Sequence, residues 1–159
     1  MATTIKNATL KVTLKEEIIL NGNRQDSENV KRISDINEIS KRIVTITTAE
    51  AVIATFSAAV ASAGHYVAAD VRYIRFTNLD DDNFITLTFR NQDNDEFAVK
   101  LDFGQSFILT GDNVNGMTAI FNATEDADAA SSSNFGSLTN IQADADTADC
   151  DLEMFIASV

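Results

Sequence analysis

Proline and tryptophan are absent from this 159-residue chain, and cysteine and histidine occur once each. Without proline, the turns fall to asparagine, aspartate and glycine, which reach the same bends through side-chain hydrogen bonds and positive φ. A single cysteine, Cys150, excludes an internal disulfide framework and any multi-cysteine metal site. Its neighbours in CDLEMFIASV alternate polar and apolar, so it reads as a small core residue and not as a reactive thiol. The one imidazole, His65, is the sole candidate base for a serine or cysteine nucleophile, and no serine sits in a G-x-S-x-G turn. No glycine-rich phosphate loop occurs. With no tryptophan and only Tyr66 and Tyr73, the aromatic platforms of a lectin-like sugar site are not evident. No run of 18 apolar residues exists, so no spanning helix is expected. The opening MATTIKNATL lacks a charged-then-apolar leader, so no secretory signal is expected either.

Basic side chains are scarce and stop early. Twelve Lys and Arg face 24 Asp and Glu, a formal net charge of −12, which disfavours non-specific nucleic-acid binding. The imbalance is local. Residues 1–42 hold eight basic and six acidic side chains, residues 43–159 hold four and 18, and none is basic after Lys100. This split suggests a mixed-charge N-terminal segment that meets a partner and an acidic remainder that faces solvent. Within that segment the pairs Lys31-Arg32 and Lys41-Arg42 are the only basic clusters, and charges of this kind also discourage edge-to-edge aggregation of strands.

What is abundant is alternation. Apolar residues make up 45% of the chain, enough for a globular core. ATLKVTLKEEIIL (8–20) alternates Leu10, Val12 and Leu14 with Lys11, Thr13 and Lys15, the pattern of a half-buried strand. Asn21-Gly22 then offers a tight turn, although the nine polar residues that follow suit a longer loop equally well. VKRISDINEISKRIVTITT (30–48) reads as two strands. TTAEAVIATFSAAVASAG (47–64) is ambiguous: Thr47-x-x-Glu50 fits a capping box and suggests a short helix near 48–63, whereas AVIATFS favours a strand over 51–57. The strongest patterning runs from Val71 to Leu109 as VRYIRFTNL, FITLTFR, FAVKLDF and SFILT, separated by the acidic turns DDDN and NQDNDE. We expect these to form successive hairpins of a meander. Asn115-Gly116 suggests a further hairpin, TEDADAASSSNFG (124–136) an acidic loop, SLTNIQADA a weakly paired segment, and CDLEMFIASV a final strand. The sum is an all-β, antiparallel β-sandwich of about eight to ten strands, jelly-roll-like, as a single domain over 1–159, with 1–20 as a contact arm.

Two acidic clusters invite comparison with calcium sites, because hard oxygen ligands are what that ion takes. They are Asn91, Asp93, Asp95 and Glu96 in the NQDNDE turn, and Asp144, Asp146, Asp149, Asp151 and Glu153 near the C-terminus. The first lacks the loop glycine and the distant glutamate of an EF-hand. Both are explained by acidic turn residues, so no metal, cofactor or catalytic residue is assigned.

The stretch VRYIRFTNLDDDNFITLTF followed by EFAVKLDFGQSFIL, with the opening KVTLKEEIILNGNRQDSENVKRISDINEISKRIVTI, resembles small structural proteins of tailed-bacteriophage virions, especially those of aquatic phages. The similarity covers about two-thirds of the chain. The resemblance implies a non-enzymatic viral protein, assembled in the host cytoplasm in many copies on the virion, with other virion proteins as partners and no membrane partner. Capsid decoration as a minor capsid protein is the first expectation, possession of a homo-oligomeric (trimeric) form the second. A tail or head–tail connector subunit, or a soluble calcium- or glycan-binding β-sandwich, are the alternatives. Lys6, Lys11, Lys31, Arg32, Lys41 and Arg42 are the expected contact residues for the shell or for sister subunits.

Overall fold

A computed structural model describes residues 5–118, 120, 121 and 135–159. The described chain contains strands and turns and no helix. It divides into two compact units, one running up to Glu38 and one spanning Ile39–Ser158.

The N-terminal unit is a ribbon. Strand β1 (Ala8–Glu16) pairs antiparallel with β4 (Ser27–Ile36), and the short strands β2 (Ile19–Leu20) and β3 (Asn23–Arg24) pair at its tip. The tip turn is Asn21-Gly22, with φ of 50° and 79°. Two consecutive positive φ values match the right-handed twist of the flanking strands, which is why this dipeptide closes hairpins. The nine polar residues after Leu20 therefore fold back as a hairpin and not as a long loop. Because β1 finds its partner in residues 27–36, the N-terminal arm extends well past residue 20 and closes on itself.

The second unit is a sandwich of two sheets. Its strands are β5 (Glu38–Ile46), β6 (Ala51–Ser57), β7 (His65–Val67), β8 (Val71–Asn78), β9 (Ile85–Asn91), β10 (Glu96–Leu101), β11 (Ser106–Thr110), β12 (Leu138–Ala145) and β13 (Cys150–Ser158). One sheet has the order β10-β9-β12-β6-β7 and the other β11-β8-β13-β5. The neighbours nest: β5 lies beside β13, β6 beside β12, β8 beside β11 and β9 beside β10. Each step outward in that series changes sheet, so the chain wraps as a folded-over hairpin, which is the jelly-roll arrangement. Strand β9 pairs antiparallel with β10 and β12, β12 with β6, and β8 with β11 and β13, whereas β6 and β7 pair in parallel.

Three local expectations change. The AVIATFS segment is strand β6, and no helix forms near 48–63; its alternation continues the core, with Ala54 and Phe56 buried, while a bulge opposite Ile141/Gln142 adds Ile53 to the same interior. The meander is not formed, because β8 and β9 lie in different sheets. Asn78 is the reason: fully buried, it donates from Nδ2 to the carbonyls of Asn83 (2.9 Å) and Leu101 (3.1 Å), fixing residues 79–84 as a crossing between sheets. SLTNIQADA, expected to pair weakly, is the centre of its sheet, with β12 flanked by β6 and β9 and with Leu138, Ile141, Ala143 and Ala145 buried. Beyond Asn115-Gly116 there is no strand before Leu138 among the described residues, only isolated bridges from Asp112 to Gly116 and from Phe121 to Gly136. Of the acidic loop expected at 124–136, residues 124–134 lie outside the described residues.

The core sits between the two inner faces. Ile74, Phe76, Leu87, Phe89, Ile141 and Leu152 are fully buried, and Met154 and Ile156 nearly so. Phe89 stacks on Phe97 at 4.8 Å between centroids and tilts against Phe107 at 5.6 Å, while Phe121 and Phe135 pack edge-on around Phe97. Burying each large side chain contributes on the order of 1.5–3 kcal/mol. Phe89→Ala should therefore lower stability by about 3–5 kcal/mol, read as a shift of the urea midpoint, because the stacked rings around it cannot collapse into the gap. Val52→Ala, on the exposed outer face, should change it by less than about 0.5 kcal/mol.

Candidate functional site

The residues singled out for chemistry are dispersed. Cys150 begins β13 and is 1% exposed, with Sγ 3.5 Å from the Ala148 carbonyl oxygen. Burial, then Asp80, Asp146 and Asp149, push its thiol up to about 11. Such a group is protonated at neutral pH and has little nucleophilic thiolate. His65 stands on β7 in the opposite sheet, and no hydrogen bond joins it to Cys150. Tyr66 is buried against Phe56, its hydroxyl 3.1 Å from the Ser40 hydroxyl, and Tyr73 is buried edge-on to Phe155. Neither tyrosine is a surface platform.

The amide and carboxylate clusters shape the backbone. Asn91, almost wholly buried, accepts from the backbone N–H groups of Asp93 (2.9 Å) and Asp95 (2.8 Å) and donates to the Phe135 carbonyl (2.7 Å). Asp80 accepts from the N–H groups of Asp82 and Asn83, and Asp112 from those of Val114 and Asn115. These donors favour the ionised carboxylates and hold both aspartates below the ordinary range. Glu96 pairs with Arg90, and Glu153 with Arg75 and Lys41 on the outer face of the four-stranded sheet. The hydrogen bond from Arg75 is the main cause of the lowered Glu153 pKa. Asp144 lies on the outer face of the other sheet, where burial first and Glu50 second raise its pKa. Of the second acidic cluster, then, Asp144 and Glu153 belong to different sheets, and Asp151 accepts from the Thr45 hydroxyl. No three acidic, histidine or cysteine side chains converge as a metal site among the described residues.

The basic candidates separate as well. Lys41 faces outward to Glu153 at 3.5 Å. Arg42, expected at the surface, turns into the sandwich, where it donates to the Ile53 carbonyl at 2.6 Å and leaves a buried Nε without a partner among the described residues. Alternation along β5 dictates this, since neighbours on a strand point to opposite faces. Lys11, Lys31 and Arg32 lie on the ribbon and Lys6 just before it, and all four are exposed.

The ribbon is the most distinctive surface. Paired residues of an antiparallel ladder share a face, so Leu10, Val12 and Leu14 lie with Ile33, Lys31 and Asn29, while Lys11, Thr13 and Lys15 lie opposite Arg32, Val30 and Glu28 on the other. Leu14, Ile18, Ile19, Leu20 and Val30 are between 45% and 68% exposed. Leu14 and Val30 lie on opposite faces of the ladder, and Ile18, Ile19 and Leu20 lie at the tip, so the exposed aliphatics are spread over the ribbon. Reading the alternation of β1 alone missed them; the signal was the EEIIL run, where Ile18, Ile19 and Leu20 break the period of two.

No protein-family model and no curated protein sequence matches the chain. A solved structure similar to it is that of Bacillus endospore appendages, described as a novel family of disulfide-linked pili. The TM-score is 0.41 at 7% identity, over 100% of this chain and 96% of the other. A likeness of that degree carries no argument about this chain.

Two measurements check the electrostatics. Iodoacetamide at pH 8 should leave Cys150 unmodified in the folded chain and label it rapidly in urea. Between the ordinary thiol value of 9.0 and about 11, only the unfolded thiol ionises, so the contribution of Cys150 is complete below that window and declines as pH rises through it. For Asp144 the raised pKa means that the folded state favours the protonated form. Asp144→Asn should accordingly raise the thermal midpoint at pH 7, with the gap to the parent chain closing as the pH falls towards 3.

Proposed function

We propose that this protein is a non-enzymatic structural subunit of a tailed-phage particle, assembled in many copies on its exterior, with capsid decoration as its role. The observation that carries the reading is the N-terminal ribbon, an element with exposed aliphatic side chains attached to a chain whose remaining core is complete. The principal core cluster lies wholly within residues 46–156. A two-stranded ribbon alone is at best marginally stable in water, so one that presents Leu14, Ile18, Ile19 and Leu20 to solvent is suited to being covered by another subunit. The jelly roll supports the same reading at the level of precedent, since viral capsid domains use it; lectins and cupins use it too, so the precedent is an analogy and the ribbon supplies the specific argument.

The acidic sandwich suits an exterior position. Twelve net negative charges would be repelled by packaged DNA and keep free subunits soluble before assembly. The partners are the major capsid protein or another virion protein, and copies of the chain itself.

Particles carrying a tagged copy should show the tag on the capsid exterior by electron microscopy. Removing residues 1–37, the whole ribbon, should abolish incorporation while the remaining sandwich keeps its β circular-dichroism spectrum. Removing only 1–20 would leave β4 without its partner and is the poorer test. Tagged density on the tail would reassign the protein to that structure, and undiminished incorporation of the truncated chain would overturn the role of the ribbon.

A further inference from the structure

The sandwich edges are not equally protected. Strand β5 carries Glu38, Lys41 and Arg42, β10 carries Glu96 and Lys100, and β7 is only three residues long. Charges and shortness are the usual devices that stop an edge from pairing with another chain. Strand β11, Ser106-Phe-Ile-Leu-Thr110, has neither charge nor proline, forms one edge of its sheet, and pairs only with β8 among the described residues. Its outward backbone groups follow from the ladder. The N–H of Asn78 bonds the Gln105 carbonyl and the N–H of Gly111 bonds the Arg72 carbonyl, so residues 105, 107, 109 and 111 point their amides at β8. The N–H and C=O groups of Ser106, Ile108 and Thr110 therefore point away from it, and Ile108 is 41% exposed.

The ribbon has matching needs. Neither β1 nor β4 pairs with a third strand among the described residues. On one face Lys11 lies directly across from Arg32, and neither is within ion-pair distance of a carboxylate among those residues. Like charges directly opposite one another are destabilising unless an anion lies close by. Two ribbons laid face to face would add two further cations to this pair. The β11 edge instead runs between Asp102 and Asp112, on a unit that holds most of the chain's acidic side chains, with Asp112 held ionised by its backbone donors.

We propose that β1 of one copy adds to the β11 edge of a second copy, so that subunits join head to tail. The inference deepens the assembly reading above and rests on it, by naming which surface of the neighbouring subunit receives the ribbon. Backbone hydrogen bonds from β1 satisfy the outward groups of Ser106, Ile108 and Thr110. The row of Leu10, Val12 and Leu14 supplies apolar contact, and the Lys11/Arg32 pair gains carboxylates. A contact between two different surfaces is heterologous, so it generates a ring where the rotation closes and a fibre where it does not.

Variants of the full chain with one added cysteine test this directly, because the native Cys150 is buried. Val12→Cys and Thr13→Cys, one from each face of β1, are each mixed with Ile108→Cys under mild oxidation. Disulfide-linked dimers should appear in at least one mixture and in none of the variants alone. Ile108→Lys should shift the assembled protein to monomer by light scattering, with an unchanged circular-dichroism spectrum. Assembly that persists in Ile108→Lys, or cross-links confined to 13–13 or 108–108 pairs, would overturn the head-to-tail contact and leave the structural role standing. A parent chain that stays monomeric at every concentration would overturn both.

Discussion

The dry interface between the two sheets is the constraint on which the sandwich depends. Each of β8, β9, β12 and β13 places alternate side chains into it, and those from Ile74 and Phe76 through Leu87 and Phe89 to Ile141 and Ile156 are essentially excluded from solvent. A shift of one residue in any of these strands would exchange the whole apolar row for the outward row of Thr86, Arg75 or Gln142, so the register is held by burial itself. The nested pairing follows economically from this. Once β9 and β10 close as a hairpin, wrapping the flanking strands around it supplies both sheets with consecutive neighbours. Arg42 is the exception inside this apolar space. Its guanidinium reaches the Ile53 carbonyl, yet the buried Nε remains unpaired among the described residues, a cost accepted at the side of the sandwich where β5 borders the open edge.

Turns without proline need another source of rigidity, and amide and carboxylate side chains provide it. Asn78, Asp80, Asn91 and Asp112 each accept backbone N–H groups from residues two to four positions on. This accounts for the density of acidic and amide residues in the turns. It also separates two uses of charge. The aspartates of these turns are ionised because backbone donors favour that form, whereas Glu153 is ionised because Arg75 and Lys41 surround it. Most of the other acidic side chains among the described residues are exposed, and they give that surface its negative sign.

Much of this fold was legible because it is written in period two. VRYIRFTNL, FITLTFR, FAVKLDF, SFILT and CDLEMFIASV were expected as strands, and β8 to β11 and β13 lie within a residue or two of those bounds. Pairing was not legible in the same way. DDDN resembles a hairpin turn, but the decisive fact is that Asn78 is buried and bonded to Leu101, a residue 23 positions away. Strand β12 was underestimated because Thr139, Asn140, Gln142 and Asp144 dilute its apolar row; its central place comes from the neighbours on either side. The placement of the basic candidates was half visible. The basic segment was evident from composition, but the inward turn of Arg42 depends on strand parity, and the bare edge of β11 has meaning only once its place in the sheet is known.

The two units differ in how they obtain stability, and that difference bears on assembly. The sandwich encloses its own core and gains little from a neighbour beyond its edges. The ribbon has two strands, exposed aliphatics and a cation facing a cation, and of its large aliphatic side chains only Ile36 is buried among the described residues. In the proposed assembly, burial against another surface adds to what offsets its backbone entropy. Charge then decides which surface. The residues up to Glu38 carry six basic and six acidic side chains and are formally neutral, whereas the remainder carries six and 18. Sandwich meeting sandwich is disfavoured by long-range repulsion, and ribbon meeting ribbon gains no electrostatic attraction and brings Lys11 and Arg32 together with their like. Ribbon meeting sandwich avoids both penalties. A formally neutral, open-edged ribbon with exposed aliphatic side chains, joined in one chain to an acidic sandwich, thus suits the proposed contact between unlike surfaces, and contacts of that kind can continue from subunit to subunit without exhausting the surfaces that make them.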